Sequence, residues 1–255
     1  MQGLIIKDDP RYNYVEAYLK NQGVTINDSL DITKELDFVL FPFKAEVDQE
    51  IYNGAFFSSL NSNTLIISGL RKSYLEEKCK FNNLKYTVLM EDKDVSIMNA
   101  IPTSEGVISY IIENTIMPVF GSKILVIGYG ICGRDLGMRL AALNADVYAL
   151  VRNDVKEAMA IRSGVTPVYI DELKGHSFDV IVNTVPNKIL SKEDVQRYKD
   201  VLTIDISSKP HGFDIEYIEG VNDKFVILPG IPSKCAVKFA GEILGKNIYK
   251  KVSAC

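Results

Sequence analysis

Lys123-Ile124-Leu125-Val126-Ile127-Gly128-Tyr129-Gly130-Ile131-Cys132-Gly133 decides how this chain is read. Its first five residues are a short apolar run of the kind a strand buried on both faces requires. Three glycines follow in the spacing GxGxxG, and beyond them Cys132, Leu136, Leu140 and Leu143 repeat at a helical period. A second strand pattern, Val147-Tyr148-Ala149-Leu150-Val151, completes the unit. The glycines alone are a weak signal; strand, glycine turn, helix and strand in that order predict a dinucleotide-binding unit. Gly128 permits the tight turn, Gly130 lets the backbone approach a pyrophosphate, and Gly133 lets helix and strand pack closely. With Tyr129, Ile131 and Cys132 they would hold the diphosphate on free N–H groups at the helix N-terminus. The helix dipole could lower the Cys132 pKa, but the position points into the helix–sheet contact and predicts packing.

The end of the second strand bears on the choice of nicotinamide cofactor. An NAD-preferring site places a carboxylate there, about 20 residues beyond the glycines, to grip the ribose 2′-hydroxyl. This chain has Arg152 followed by Asn153. A guanidinium pairs with a 2′-phosphate through two hydrogen bonds, so NADP(H) is expected over NAD(H). Asp154 is the rival, because a small shift of register would bring it to the ribose.

Composition narrows the class. Of 255 residues, 47% are hydrophobic and 24% charged, ordinary for a soluble globular protein of one large or two small domains. A net charge of −4 with scattered lysines and arginines leaves no footprint for nucleic acid or a membrane surface. No apolar run approaches the ~18 residues of a membrane span, and the N-terminus lacks a signal-peptide layout. Cys79, Cys132, Cys235 and Cys255 show no metal-like spacing, and His176 and His211 are the only histidines. No zinc site or disulfide framework is expected, and the location is expected to be cytoplasmic.

Outside the glycine unit the pattern alternates between strands and helices. Leu4-Ile5-Ile6, Phe38-Val39-Leu40-Phe41, Thr64-Leu65-Ile66-Ile67 and Tyr86-Thr87-Val88-Leu89 read as strands of an N-terminal parallel sheet. Helical spacing covers Tyr14 to Leu19. Ile101-Pro102-Thr103-Ser104-Glu105-Gly106 reads as the start of a hinge helix, with Thr103 as N-cap and Glu105 at the positive end of the dipole. Later strands are predicted around 178–183, 201–206 and 225–228, and a last amphipathic helix from about 235 to 249. The expected fold is α/β with two lobes: a smaller N-terminal α/β domain over 1–100 and a hinge helix and linker over 101–120. A Rossmann-type doubly wound parallel sheet follows over 121–232, then a C-terminal helix over 233–255 that crosses the junction.

Several segments carry a family likeness. Ile101 to Gly106, Gly128-Tyr129-Gly130, Asn183-Thr184-Val185-Pro186, Asp205-Ile206-Ser207-Ser208-Lys209-Pro210 and Leu228-Pro229-Gly230-Ile231-Pro232 occur in the order seen in the family of dipicolinate synthase A subunits. The chain resembles that family from about Leu65 to Lys250, including the closing helix around Ala240-Gly241-Glu242-Ile243-Leu244. It departs in Lys7-Asp8-Asp9-Pro10-Arg11, which keeps Asp9 and Arg11 of a Gly-Asp-x-Arg turn but lacks the glycine. The resemblance implies NADP-dependent conversion of 4-hydroxy-tetrahydrodipicolinate to pyridine-2,6-dicarboxylate in sporulating bacteria. It also implies a partner, the B subunit of dipicolinate synthase, which resembles a flavoprotein. A homo-oligomer is left open.

A diacid substrate calls for cationic or N–H-rich anchors. Arg11, Ser68, Thr103 and Ser104 are the candidates for binding it; a solvated arginine, a strand-ending turn and a helix cap are the plain alternatives. Glu105, Ser207 and Lys209 are the candidates for chemistry. Asn183, Thr184, Val185, Pro186, Ile206 and Gly230 are expected beside the nicotinamide half of the cofactor, with Pro232 shaping a wall. His211 sits in a Pro-His-Gly turn, where a histidine is usually exposed, so neither histidine is assigned. Two rival readings remain. One is a dehydrogenase resembling shikimate dehydrogenase, with Lys72 and Asp92 as its lysine–aspartate pair. The other is a nucleotide-binding protein without catalysis of its own, whose partner performs the redox step.

Overall fold

Runs such as Phe38-Val39-Leu40 and Ile124-Leu125-Val126-Ile127 lack polar alternation, so as strands they need cover on both faces. The computed structural model describes residues 1–27 and 35–254, which leaves Cys255 of the cysteine count outside the described residues. It divides into two units, one of Met1–Asn99 with Ala236–Cys255 and the other of Ala100–Cys235.

The first unit holds a parallel sheet in the order β2-β1-β3-β4-β5. Its strands are β1 (Gln2–Ile5), β2 (Thr25–Asn27), β3 (Phe38–Leu40), β4 (Leu65–Ser68) and β5 (Lys85–Val88). Successive residues serve opposite cores. Ile5, Phe38, Leu40, Leu65 and Ile67 pack with Tyr12, Val15 and Leu19 of α1 (Arg11–Asn21). Leu4, Val39 and Ile66 pack instead with Phe56 and Phe57 of α2 (Gly54–Ser59) and Leu75 of α3 (Ser73–Phe81). The edge strand β2 has no apolar run to announce it, so the sequence pattern does not predict it.

Pro102 does not start a helix. It lies inside α4 (Lys93–Asn114), so Thr103 is not an N-cap and the N–H groups of 103–105 are not free. The ring removes one donor, the one that would reach the Met98 carbonyl. Val95 is buried before the proline, and Val107 and Ile111 are buried after it, so the helix runs through.

The second unit holds six parallel strands in the order β11-β10-β9-β6-β7-β8. They are β6 (Lys123–Ile127), β7 (Asp146–Leu150), β8 (Thr166–Val168), β9 (Val180–Asn183), β10 (Leu202–Asp205) and β11 (Phe225–Ile227). The strand order reverses at β6, between β7 and β9, which makes this a doubly wound Rossmann sheet. Ile124, Val126, Val180 and Val182 face α4 and α5 (Ile131–Ala142), while Leu125, Ile127 and Ile181 face Val195 of α7 (Lys192–Arg197) and Ile218 of α8 (Ile215–Glu219). α6 (Asp154–Arg162) joins β7 to β8. Strand β8 contains Pro167, which the edge of a sheet tolerates because no partner needs its N–H.

The last helix, α9 (Val237–Val252), lies against α1. A Cβ at Gly241 would lie 2.6 Å from the Arg11 carbonyl oxygen and 2.6 Å from the Tyr14 Cβ, and one at Gly245 3.0 Å from the Tyr18 Cβ. Backbone contact this close is what the two glycines provide. Gly241→Val is expected to cost about 1–3 kcal/mol by overpacking. Urea unfolding midpoints would show it, with Lys246→Ala on the exposed side of α9 unchanged.

Candidate dinucleotide site

The turn between β6 and α5 is built by contact. Gly128 adopts φ 87°, and a Cβ there would lie 2.4 Å from Val185 Cγ1 and 2.9 Å from Thr184 Oγ1. At Gly133 a Cβ would meet the Gly128 carbonyl oxygen at 2.0 Å, so the first turn of α5 rests on the glycine turn. Gly130 differs: nothing lies within 4 Å of its Cβ position. It is the N-cap of α5, and no side chain among the described residues caps that end. Open space beside uncapped N–H groups is what a diphosphate requires.

Tyr129 contributes backbone only. Its ring is buried beneath α5, where a Cβ on Gly137 would already press it at 3.2 Å. Burial pushes the Cys132 thiol above its ordinary value, and the Asp135 carboxylate adds to the rise, so the helix N-terminus does not activate it. Asn183 and Thr184 are spent on the loop itself. The Asn183 amide donates to the Val185 carbonyl at 2.9 Å, and the Thr184 hydroxyl donates to the Ile127 carbonyl at 2.9 Å. Ile206 donates its N–H to the Asn183 carbonyl, linking the ends of β9 and β10.

Beyond β7 the three residues Arg152, Asn153 and Asp154 are exposed. Asn153 is the N-cap of α6, its side chain accepting from the Lys156 N–H at 3.0 Å. Asp154 opens that helix. No ion pair among the described residues occupies Arg152, so its guanidinium is available to an anion.

Past β10 the chain folds around one carboxylate. Asp205 has no exposed surface and accepts from the Ser207 N–H at 2.7 Å, the Ser207 hydroxyl at 2.6 Å and the Gly212 N–H at 2.8 Å. The Ser207 hydroxyl is therefore a latch for the loop. Lys209 is exposed, and His211 is not: its side chain keeps 16% of its surface and Nδ1 is buried. The Pro-His-Gly turn thus tucks its histidine in, against the sequence expectation. Gly230, at φ 63°, turns the chain after β11 into the short helical turn Ile231–Ser233, where Pro232 is buried. Gly106 of α4 lies against Ile231, with its Cβ position 2.2 Å from Ile231 Cγ2.

Other candidates are engaged differently than the sequence suggested. Glu105 is not at a helix start; it lies 3.3 Å from Arg139, which also holds Asp135 at 2.8 Å. Ser104 is buried within α4, its hydroxyl without a hydrogen-bond partner among the described residues. The Ser68 hydroxyl donates to the Leu70 carbonyl at 2.7 Å and lies 2.7 Å from the Tyr86 hydroxyl. Arg11 is buried, bonded through Nε and Nη2 to both oxygens of Asp9 at 2.8 Å and stacked 3.9 Å over the Phe43 ring. Asp8, which stands where the Gly-Asp-x-Arg turn has its glycine, accepts from three backbone N–H groups, those of Phe43, Lys44 and Ala45, at 2.6–2.9 Å. The rival lysine–aspartate pair is not assembled: Lys72 donates to the Ala45 carbonyl at 2.8 Å, whereas Asp92 pairs with Lys251 at 3.1 Å. Sequence reasoning missed the involvement of Asp8, Asp205, His211 and Gly212. The signals for them are the run Asp8-Asp9-Pro10-Arg11, the segment that opens on Asp205 and the Pro-His-Gly turn.

No family model matches the chain. The A subunit of dipicolinate synthase from Bacillus subtilis strain 168 is 30% identical over 235 residues, covering 87% of this chain and 79% of its own length. The solved structure of the A subunit from Bacillus halodurans superposes with a TM-score of 0.90 at 26% identity, covering 98% of this chain and 97% of that one. The corresponding Bacillus subtilis structure gives 0.88 at 26%, covering 100% and 97%. Identity of this extent, with the fold shared end to end, shows that the chain belongs to the family of dipicolinate synthase A subunits.

Proposed function

We propose that this chain is an oxidoreductase that converts 4-hydroxy-tetrahydrodipicolinate to pyridine-2,6-dicarboxylate with NADP, in the cytoplasm of a sporulating cell. What carries the reading is the 30% identity to the Bacillus subtilis protein over most of both chains. The residues present fit a dinucleotide: an open Gly130 at an uncapped helix start, and at the end of β7 an Arg152 with no ion pair among the described residues. When bound, the nicotinamide supplies a two-electron oxidant that takes a hydride. The chain supplies the N–H groups of residues 130–133 for the diphosphate, Arg152 for the 2′-phosphate and Lys209 for a substrate carboxylate. The flavoprotein-like B subunit completes the enzyme.

The test mixes the chain, with and without that partner, with NADP and freshly made 4-hydroxy-tetrahydrodipicolinate, and follows absorbance of the aromatic product. Product formation supports the reading; robust oxidation of shikimate by the chain alone overturns it. Cofactor choice has its own prediction. Arg152→Glu is expected to weaken NADPH binding about 10–100-fold, the loss of a charge-assisted bidentate contact, and to leave NADH within about threefold. Titration calorimetry reads both, and tighter NADH than NADPH binding by the unaltered chain removes the role given to Arg152.

A further inference from the structure

His211 is held in an unusual state. Its backbone sits at φ 72°, the left-handed region that a residue with a Cβ seldom adopts. The imidazole Nδ1 is buried without a hydrogen-bond partner among the described residues and lies 4.0 Å from Asp205 Oδ1. A buried polar nitrogen with no partner is costly, and so is a fully buried carboxylate with no cation. Asp205 has three donors around it, all from its own loop, and His211 is the one basic side chain within 4.0 Å of it among the described residues. The imidazole lacks a partner at Nδ1, and Asp205 is the one carboxylate within 4.0 Å of it among the described residues.

The loop holding them leaves the carboxyl end of β10 beside β9, the edge at which open α/β sheets place ligands. It is also tightly seated there: a Cβ on Gly212 would lie 2.0 Å from the Asn183 amide nitrogen and 2.7 Å from the Val185 carbonyl. Backbone strain beside a seated loop is a pattern of functional sites.

We propose that His211 is the acid–base residue for loss of water from the substrate and that Asp205 is its positioning residue, a role that rests on the function given above. Moving about 1 Å, the imidazole donates Nδ1–H to Asp205, which fixes the tautomer and leaves Nε2 with a free lone pair. Nε2 removes a proton from the ring carbon between the imine and C4. The electrons of that C–H bond form the new ring double bond. The C4–O bond breaks with its electrons on oxygen, which takes the proton back from the imidazolium and departs as water. No oxidant enters this step.

The experiment pairs His211→Gln with long-range 1H–15N NMR of the imidazole in the unaltered full chain at pH 8.5, with NADP present. The variant is expected to form dipicolinate about 10²–10⁴-fold more slowly, the range for a removed acid–base group, with NADPH affinity within about twofold of the parent. The imidazole is expected as the Nδ1–H tautomer. Undiminished turnover in His211→Gln, or an Nε2–H tautomer in the parent, overturns the proposal. If the parent forms no dipicolinate under any condition, the function reading fails by itself. The tautomer then decides for or against the Asp205–His211 pair.

Discussion

Replacing Gly133 by alanine is expected to weaken dinucleotide binding about a hundredfold and to lower Tm by roughly 6–12 °C. The added Cβ would lie 2.0 Å from the Gly128 carbonyl oxygen, 3.1 Å from its carbon and 3.1 Å from Thr184 Oγ1. Two of these are backbone atoms of the glycine turn, so no flexible side chain can yield. The start of α5 must draw back by roughly 1 Å, and overpacking of that kind costs about 3 kcal/mol. A chain of this size loses about 2–4 °C per kcal/mol. Gly130→Ala is the matched control, because its Cβ enters open space. It should keep the Tm and still impair NADPH binding. Differential scanning calorimetry and fluorescence titration separate the two, and a Gly133→Ala protein that melts and binds like the parent would show that the turn is not the diphosphate seat.

Arg11→Met is expected to destabilise the protein by about 3–5 kcal/mol, because it strands a buried carboxylate that Arg11 neutralises with two hydrogen bonds. Packing over Phe43 is largely kept by methionine, so the lost charge is what the variant reads. Acid should narrow the difference. Burial works against the charged form of Asp9, but the hydrogen bonds and charge of Arg11 prevail and hold its carboxyl below the ordinary 3.8. A depressed carboxyl stabilises fully above its unfolded pKa and loses that contribution as pH falls through its folded pKa. In the variant, protonation of the stranded Asp9 relieves the penalty. Urea unfolding at pH 7 and pH 4 measures both values; an equal gap at the two pH values would mean that the pair contributes through packing alone.

Much of the second unit is legible in the sequence because its information is local. Gly128, Gly130 and Gly133 fall within six residues, and their spacing states both the turn and the helix start. The apolar strands can be placed because continuous burial leaves a continuous pattern. Pro102 misleads for the same reason: locally it signals a beginning, whereas burial of Val95 on one side and Val107 on the other carries the helix through it. Ser68, Glu105 and Ser207 stand out in the sequence as polar groups near the ends of strands or of a helix pattern. Tyr86 and Arg139, the partners of Ser68 and Glu105, lie 18 and 34 residues away along the chain, whereas Ser207 turns back on Asp205 only two residues before it.

The sequence by itself determined the class of fold, the glycine turn and the family, since each is written in neighbouring residues or in ordered motifs. Only the tertiary structure decided which charges are paired and which polar atoms are left over. It buried Arg11 on Asp9, sent Lys72 and Asp92 to different partners, and brought the His211 imidazole to 4.0 Å from Asp205. The reason is physical. Burial is settled by everything that packs over a group, so even residues two or six apart in the chain, such as Asp9 and Arg11 or Asp205 and His211, are paired or left over according to what covers them.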